Sequence, residues 1–180
     1  MTPILGIMAS QISGHLFTPT GSMFHIASTT LSTTAVSIEF GSIPADYTHL
    51  QIRVMALCSA TGYPRLRFNS DSATNYSYHF LYGSGVNAQS GAADTVTFMQ
   101  NTYAANATNP SVSVIDILDY ANTNKYKTMR SLNGQDSNGS GFVWLFSGNW
   151  RNTNAITTVT FTPETGNFNA YTSISLYGVK

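Results

Sequence analysis

Charged side chains make up 9% of this 180-residue chain, where about 25% is usual. A surface with so few is either built from hydroxyls and amides, as in extracellular and carbohydrate-facing proteins, or buried against other subunits, where Lys and Glu are depleted. The sequence predicts a mixture in which burial between subunits dominates. Its 8 basic and 8 acidic residues cancel, which excludes the basic field that nucleic acid or an anionic membrane requires. A single cysteine, Cys58, excludes an internal disulfide, and a small buried hydrophobe is the expectation for it. Long apolar runs are absent too. No Lys or Arg precedes the first apolar residues, and Ser10, Gln11, Ser13 and Gly14 interrupt them. Neither a signal peptide nor a membrane span is expected, but a soluble chain made in a cytoplasm.

The residues of catalysis are equally thin. Glu39, Asp46, Asp71, Asp94, Asp116, Asp119, Asp136 and Glu164 stand singly, mostly beside turns. Asp116 and Asp119, the nearest pair, point to opposite faces if both lie on one strand, so no two carboxylates flank a sugar. His15, His25, His49 and His79 show no metal-ligand spacing. Phosphate loops, dinucleotide fingerprints and nucleophile elbows are missing, and Asn69-Ser70-Asp71-Ser72 supplies too few oxygens for calcium. The expectation is a protein without enzymatic activity, cofactor or metal.

What the chain has is period-two alternation. Val36, Ile38 and Phe40 alternate with Ser37 and Glu39, and after turn residues Gly41, Pro44 and Asp46, so do Leu50, Ile52, Val54 and Ala56 with Gln51, Arg53 and Met55. These two read as an antiparallel pair. Leu66 and Phe68 repeat the pattern, closed by a turn at Asn69-Ser70-Asp71. Further strands are expected at Phe24–Ile26, Asn75–Tyr82 with an aromatic face, Thr95–Gln100, Ser111–Tyr120, Phe142–Trp150, Ile156–Phe161 and Tyr171–Lys180. Loops are expected at Gly83–Asp94 and Asn101–Pro110, and a turn from Asn133-Gly134 to Gly141. About ten strands at this spacing predict an all-β chain, an antiparallel β-sandwich of jelly-roll type, with an up-and-down barrel as the alternative.

Residues 1–21 differ from the rest. Ile4, Leu5, Ile7, Met8, Ile12, Leu16 and Phe17 carry no regular spacing and almost no charge. They predict an extended N-terminal assembly arm ahead of a sandwich domain at 22–180; a first strand and loop of the same domain is the other reading. Aromatics beside amides suggest a second activity, recognition of a host surface glycan, through Tyr82, Asn87 and Gln89 on one loop and Trp150, Asn152 and Asn154 at a strand end. The rings considered for sugar stacking are Trp144, Trp150, Tyr63, Tyr76, Tyr78 and Tyr82; Trp144, in mid-strand, is assigned to the core, Trp150 has the better position for an exposed platform, and packing is the favoured role for any single one of them.

The stretches GIMASQISG, SIPADYTHLQIRV and RFNSDSATNYSYHFLYGSG, within residues 4–14 and 36–85, resemble virion structural proteins of tailed bacteriophages. The resemblance brings no catalytic residues. It implies a non-enzymatic β-rich module that assembles, often as a homotrimer, onto other virion proteins of the capsid or tail, as a capsid cement or decoration protein or a tail-fibre component. Receptor binding at a tail fibre or tail tip is the alternative role, and synthesis in the host bacterial cytoplasm the expected route to the virion.

Overall fold

The computed structural model describes residues 21–101 and 108–180. The arm, with Ile4, Leu5, Ile7, Met8, Ile12, Leu16 and Phe17, and most of the expected loop at Asn101–Pro110 lie outside the described residues. Twelve strands follow in chain order: β1 (Met23–Thr30), β2 (Ile38–Phe40), β3 (His49–Ala56), β4 (Arg65–Phe68), β5 (Tyr76–Gly83), β6 (Ala88–Val96), β7 (Met99–Gln100), β8 (Ser111–Leu118), β9 (Lys127–Asp136), β10 (Gly141–Trp150), β11 (Val159–Thr162) and β12 (Ser173–Val179).

They form two antiparallel sheets, one of eight strands in the order β1-β12-β3-β8-β9-β10-β5-β6 and one of four in the order β2-β11-β4-β7. Partners nest: β1 with β12, β2 with β11, β3 with β8, β4 with β7. Each pair crosses into the other sheet before the next begins, which is the double Greek key of a jelly roll. Two hairpin partners, β5–β6 and β9–β10, are inserted into that eight-strand frame, and both extend the same edge of the larger sheet. The barrel alternative is excluded by this strand order.

Consecutive strands therefore seldom pair, and one expectation fails for that reason. The β2 and β3 segments, read as a hairpin, belong to different sheets and face each other across the core. Their inward residues are as expected: Ile38, Phe40, Leu50, Ile52, Val54 and Ala56 are buried, with Leu66 and Phe68 of β4 and Ile174 and Leu176 of β12. Val36 precedes β2 and is exposed. Cys58 is fully buried, and burial pushes its thiol up to about 11.

Three further boundaries move. Most of Gly83–Asp94 is strand, not loop, because β6 runs along the sheet edge and only the turn between Ser84 and Asn87 remains. Thr95–Gln100 is not one strand: the chain leaves β6 near Thr95, which has φ 55°, and enters the other sheet as β7. Asn133 and Gly134 lie inside β9, and the turn tightens to Ser137–Ser140, with Asn138 and Gly139 both at positive φ. Such a two-residue turn matches the twist of its flanking strands.

Candidate functional site

The larger sheet has an inner face toward the four-stranded sheet and an outer face with no layer over it among the described residues. Strand polarity should put apolar residues inside and polar ones outside. At one end of β8 and β9, around Ser113 and Asn133, it is reversed, whereas Ile115, Ile117 and Met129 of the same strands point inward as usual. Ser113, Ser131 and Asn133 point inward at 4%, 1% and 1% exposure, while their outward neighbours Val114, Leu132 and Val143 are 42%, 57% and 60% exposed. The three inward residues are hydrogen-bonded: Ser131 Oγ donates to the Asn101 carbonyl at 2.6 Å, and Asn133 Nδ2 donates to the Val112 carbonyl at 3.0 Å and Ser113 Oγ at 3.1 Å, whereas the buried Ser111 Oγ and Asn101 side-chain amide have no partner among the described residues. The inversion is thus built into the packing.

Register assembles the outward residues into two rows. One runs Arg53, Val114, Leu132, Leu145, Leu81 across β3, β8, β9, β10 and β5. The next runs Met55, Val112, Gly134, Val143, Gly83 over the same strands. A hollow of about 570 Å³ lies over this part of the face, bordered by Met55, Val112, Leu132, Gly134 and Val143 and reaching Ser173 and Ser175 of β12. With strands about 4.8 Å apart, the band is roughly 20 Å long and on the order of 300 Å². A third row is polar and paired: Asp116 accepts from Gln51 Nε2 at 3.0 Å and from Arg130 Nε at 3.0 Å. An apolar centre is thus bordered by a hydrogen-bonded charged row.

The residues expected to bind glycan are not brought together. Tyr82 and Gln89 face each other across β5 and β6, and the Tyr82 hydroxyl donates to Gln89 Oε1 at 2.6 Å, so each occupies the other. Asn87 sits on the adjacent turn, its backbone N–H bonded to Ser84 Oγ. Trp150 is at the opposite end of β10, six residues from the partner of Tyr82, a separation of roughly 20 Å. It is no platform: it is fully buried against Phe68 and Tyr76, at ring distances of 5.5 and 6.3 Å. The core takes it because its indole N–H reaches Asp71. Asn152 Oδ1 is engaged by the Asn154 backbone N–H at 2.9 Å in a local turn. Trp144 is buried as expected, between Tyr82 at 4.2 Å and Phe146 at 5.4 Å, both stacked.

The extension of the larger sheet creates one recess that sequence reasoning missed. The smaller sheet stops at β7, which packs on β10 and β5. A cleft of about 300 Å³ opens there, lined by Tyr63, Tyr78, Phe80, Phe98, Gln100, Trp144 and Glu164. These come from both sheets and from the loops before β4 and after β11, so no local pattern marks them. Among the described residues no group of His, Cys, Asp and Glu is placed to hold a metal ion.

Fold and surface together define a jelly-roll sandwich with one apolar outer face. No family model and no curated protein matches the chain. Among solved structures, the galectin LEC-6 of Caenorhabditis elegans aligns with 9% identity and a TM-score of 0.33, covering 91% of this chain and 99% of that one. An aerolysin-like protein of Bombina maxima aligns with 6% identity and a TM-score of 0.19, covering 79% and 93%.

Proposed function

We propose that the chain is a non-enzymatic structural subunit of a tailed-bacteriophage virion, a capsid cement or decoration protein or a tail-attached fibre component. It self-associates, as a homotrimer, through the apolar band on the outer face of its larger sheet, and the N-terminal arm fastens it to neighbouring virion proteins.

The reversed polarity at one end of β8 and β9 supports this reading. The placement of Ser113, Ser131 and Asn133 inside and of Val114 and Leu132 outside supports a second protein surface as the occupant of this part of the outer face. A second copy is the natural occupant, because the band is neutral and its rim offers both signs, Arg130 and Asp116, in adjacent positions. The band alone is smaller than the roughly 800 Å² each partner gives to a standard interface. It forms the centre, and the polar rows of β3, β9 and β12 supply the rim. The scarcity of charge fits the same reading.

Light scattering on the purified protein tests the association. The expected result is a mass three times that of the 19.5 kDa chain, reduced to that of one chain by Leu132→Glu with Val143→Glu, both exposed in the isolated subunit. A wild-type monomer at micromolar concentration overturns it. The virion role is tested by quantitative mass spectrometry of purified particles of the encoding phage. Hundreds of copies per particle indicate capsid cement, a few to tens indicate the tail, and absence from the particle overturns the reading.

A further inference from the structure

We propose that the cleft beneath the overhanging strands binds a single neutral pyranose ring of a saccharide, between the aromatic walls of Tyr63, Phe80 and Phe98 and the polar groups of Tyr78, Gln100 and Glu164. The inference goes beyond the assembly reading and does not depend on it.

Two polar side chains carry the argument. Tyr78 and Gln100 line the cleft at 9% and 7% exposure, and neither side chain has a hydrogen-bond partner among the described residues. Their polar atoms are not sealed off, since neither residue contributes to the enclosed side-chain atoms that lack a partner, so both are reached from the cleft. Here, two groups from different sheets are left open toward the same space, beside a carboxylate. The expected partner is therefore something that enters the cleft.

The chemistry of the groups narrows what enters. A phenol and an amide each donate and accept, and Glu164 accepts only. Glu164 already receives the Tyr63 backbone N–H at 2.9 Å on Oε2, and Arg65 Nη2 lies 3.6 Å from Oε1. Its charge is thus offset, and lone pairs remain on the carboxylate. Arg65 in turn lies over Phe98, 4.4 Å from the ring centroid. A site that is neutral overall and both donates and accepts suits hydroxyl groups, which also do both. A phosphate or carboxylate would meet acceptors it cannot pair, and an ammonium would find the one carboxylate shared with Arg65. Aromatic walls suit the C–H face of a sugar ring. At about 300 Å³ the space is at the small end of ligand pockets and holds one ring, not an oligosaccharide.

Trp144 is the reporter, since Tyr63 meets it edge-on at a ring distance of 5.6 Å. The test titrates the full chain with glucose, galactose, mannose, N-acetylglucosamine and rhamnose, with sialic acid and glucuronic acid as charged comparisons, read by tryptophan fluorescence and saturation-transfer NMR. Saturable binding of at least one neutral sugar at millimolar concentration is expected, weakened about tenfold by Tyr78→Phe or Gln100→Leu. Thermal melts establish that both variants fold. Leu132→Glu, on the opposite face of the sheet, retains the binding whatever its oligomeric mass, so the loss of assembly and the loss of sugar binding are read separately. The inference is overturned if no neutral sugar saturates, if only the charged sugars bind, or if folded Tyr78→Phe and Gln100→Leu both bind as the wild type does.

Discussion

Trp150 Nε1 donates a hydrogen bond to Asp71 Oδ2 at 2.7 Å, joining the end of β10 to the turn after β4. Asp71 also accepts from Asn75 Nδ2 and from the Ala73 backbone N–H, each at 2.9 Å. Burial pushes the carboxyl of Asp71 up, but the bonds from Asn75, Trp150, Ala73 and Asn152 together outweigh it and hold the group below its ordinary range. A carboxyl lowered in the folded state contributes stability above its unfolded value, near pH 4, and loses it as pH falls through the folded value. The wild-type protein should therefore lose stability on acidification below about pH 4. Asp71→Asn should be less stable at pH 7 by on the order of 1–2 kcal/mol and show a shallower acid dependence in urea titrations. An unchanged acid slope in the variant would remove Asp71 from the account.

Lys127 is a second internal tie. The side chain is fully buried, and its ammonium donates to the carbonyls of Asn122 at 2.6 Å, Lys125 at 3.0 Å and Thr153 at 3.0 Å. It pins the β8–β9 connection to the loop after β10. Lys127→Met keeps the stem but leaves those carbonyls unpaired, and a loss of about 3 kcal/mol is expected. Chemical denaturation should show a lower midpoint with an unchanged slope, since the surface exposed on unfolding is the same.

Two glycines of the larger sheet should answer oppositely to the same substitution. Gly148 faces inward under Met99, where a Cβ would overlap the sulfur of that buried side chain. Gly148→Ala should cost about 1–3 kcal/mol by overpacking. Gly134 faces outward, and a Cβ added there would meet nothing within 4 Å, so Gly134→Ala should leave the isolated subunit within about 0.5 kcal/mol of wild type. Thermal melts of the two variants, compared at equal concentration, check both.

The inward half of the fold was legible because period-two alternation needs only neighbouring residues: Leu50, Ile52, Val54 and Ala56 announce their face without reference to any partner strand. Pairing was not, since a jelly roll joins strands from distant parts of the chain, and the β2–β3 hairpin reading followed local proximity. The strand β6 escaped notice because AQSGAADTV has no apolar period. Its inner face is covered by aromatic rings from β5, with Phe80 lying against Gly91 where a side chain would not fit. Val112 and Val114 were visible as strand residues, but β9 with Leu132 was not among the expected strands, and the outward rows form only through its pairing with β8 and β10. The cleft was invisible for a related reason, as Tyr63, Tyr78, Gln100 and Glu164 lie on separate segments. Trp150 misled because the asparagines after it looked like a solvent-exposed strand end, whereas its partner Asp71 lies far back in the chain.

The nesting of the strands also sets an order of events during synthesis. The hairpins β5–β6 and β9–β10 close over short turns, on the microsecond scale typical of such units. Met23 must wait for Val179, so β1 cannot be seated until β12 has left the ribosome. The strands of the apolar outer band, β3, β8, β9, β10 and β5, are all synthesised before β12 arrives to separate β1 from β3. A nascent subunit thus displays its stickiest surface before its frame is locked, and chaperone dependence during expression should track residues of that band more closely than residues of the core.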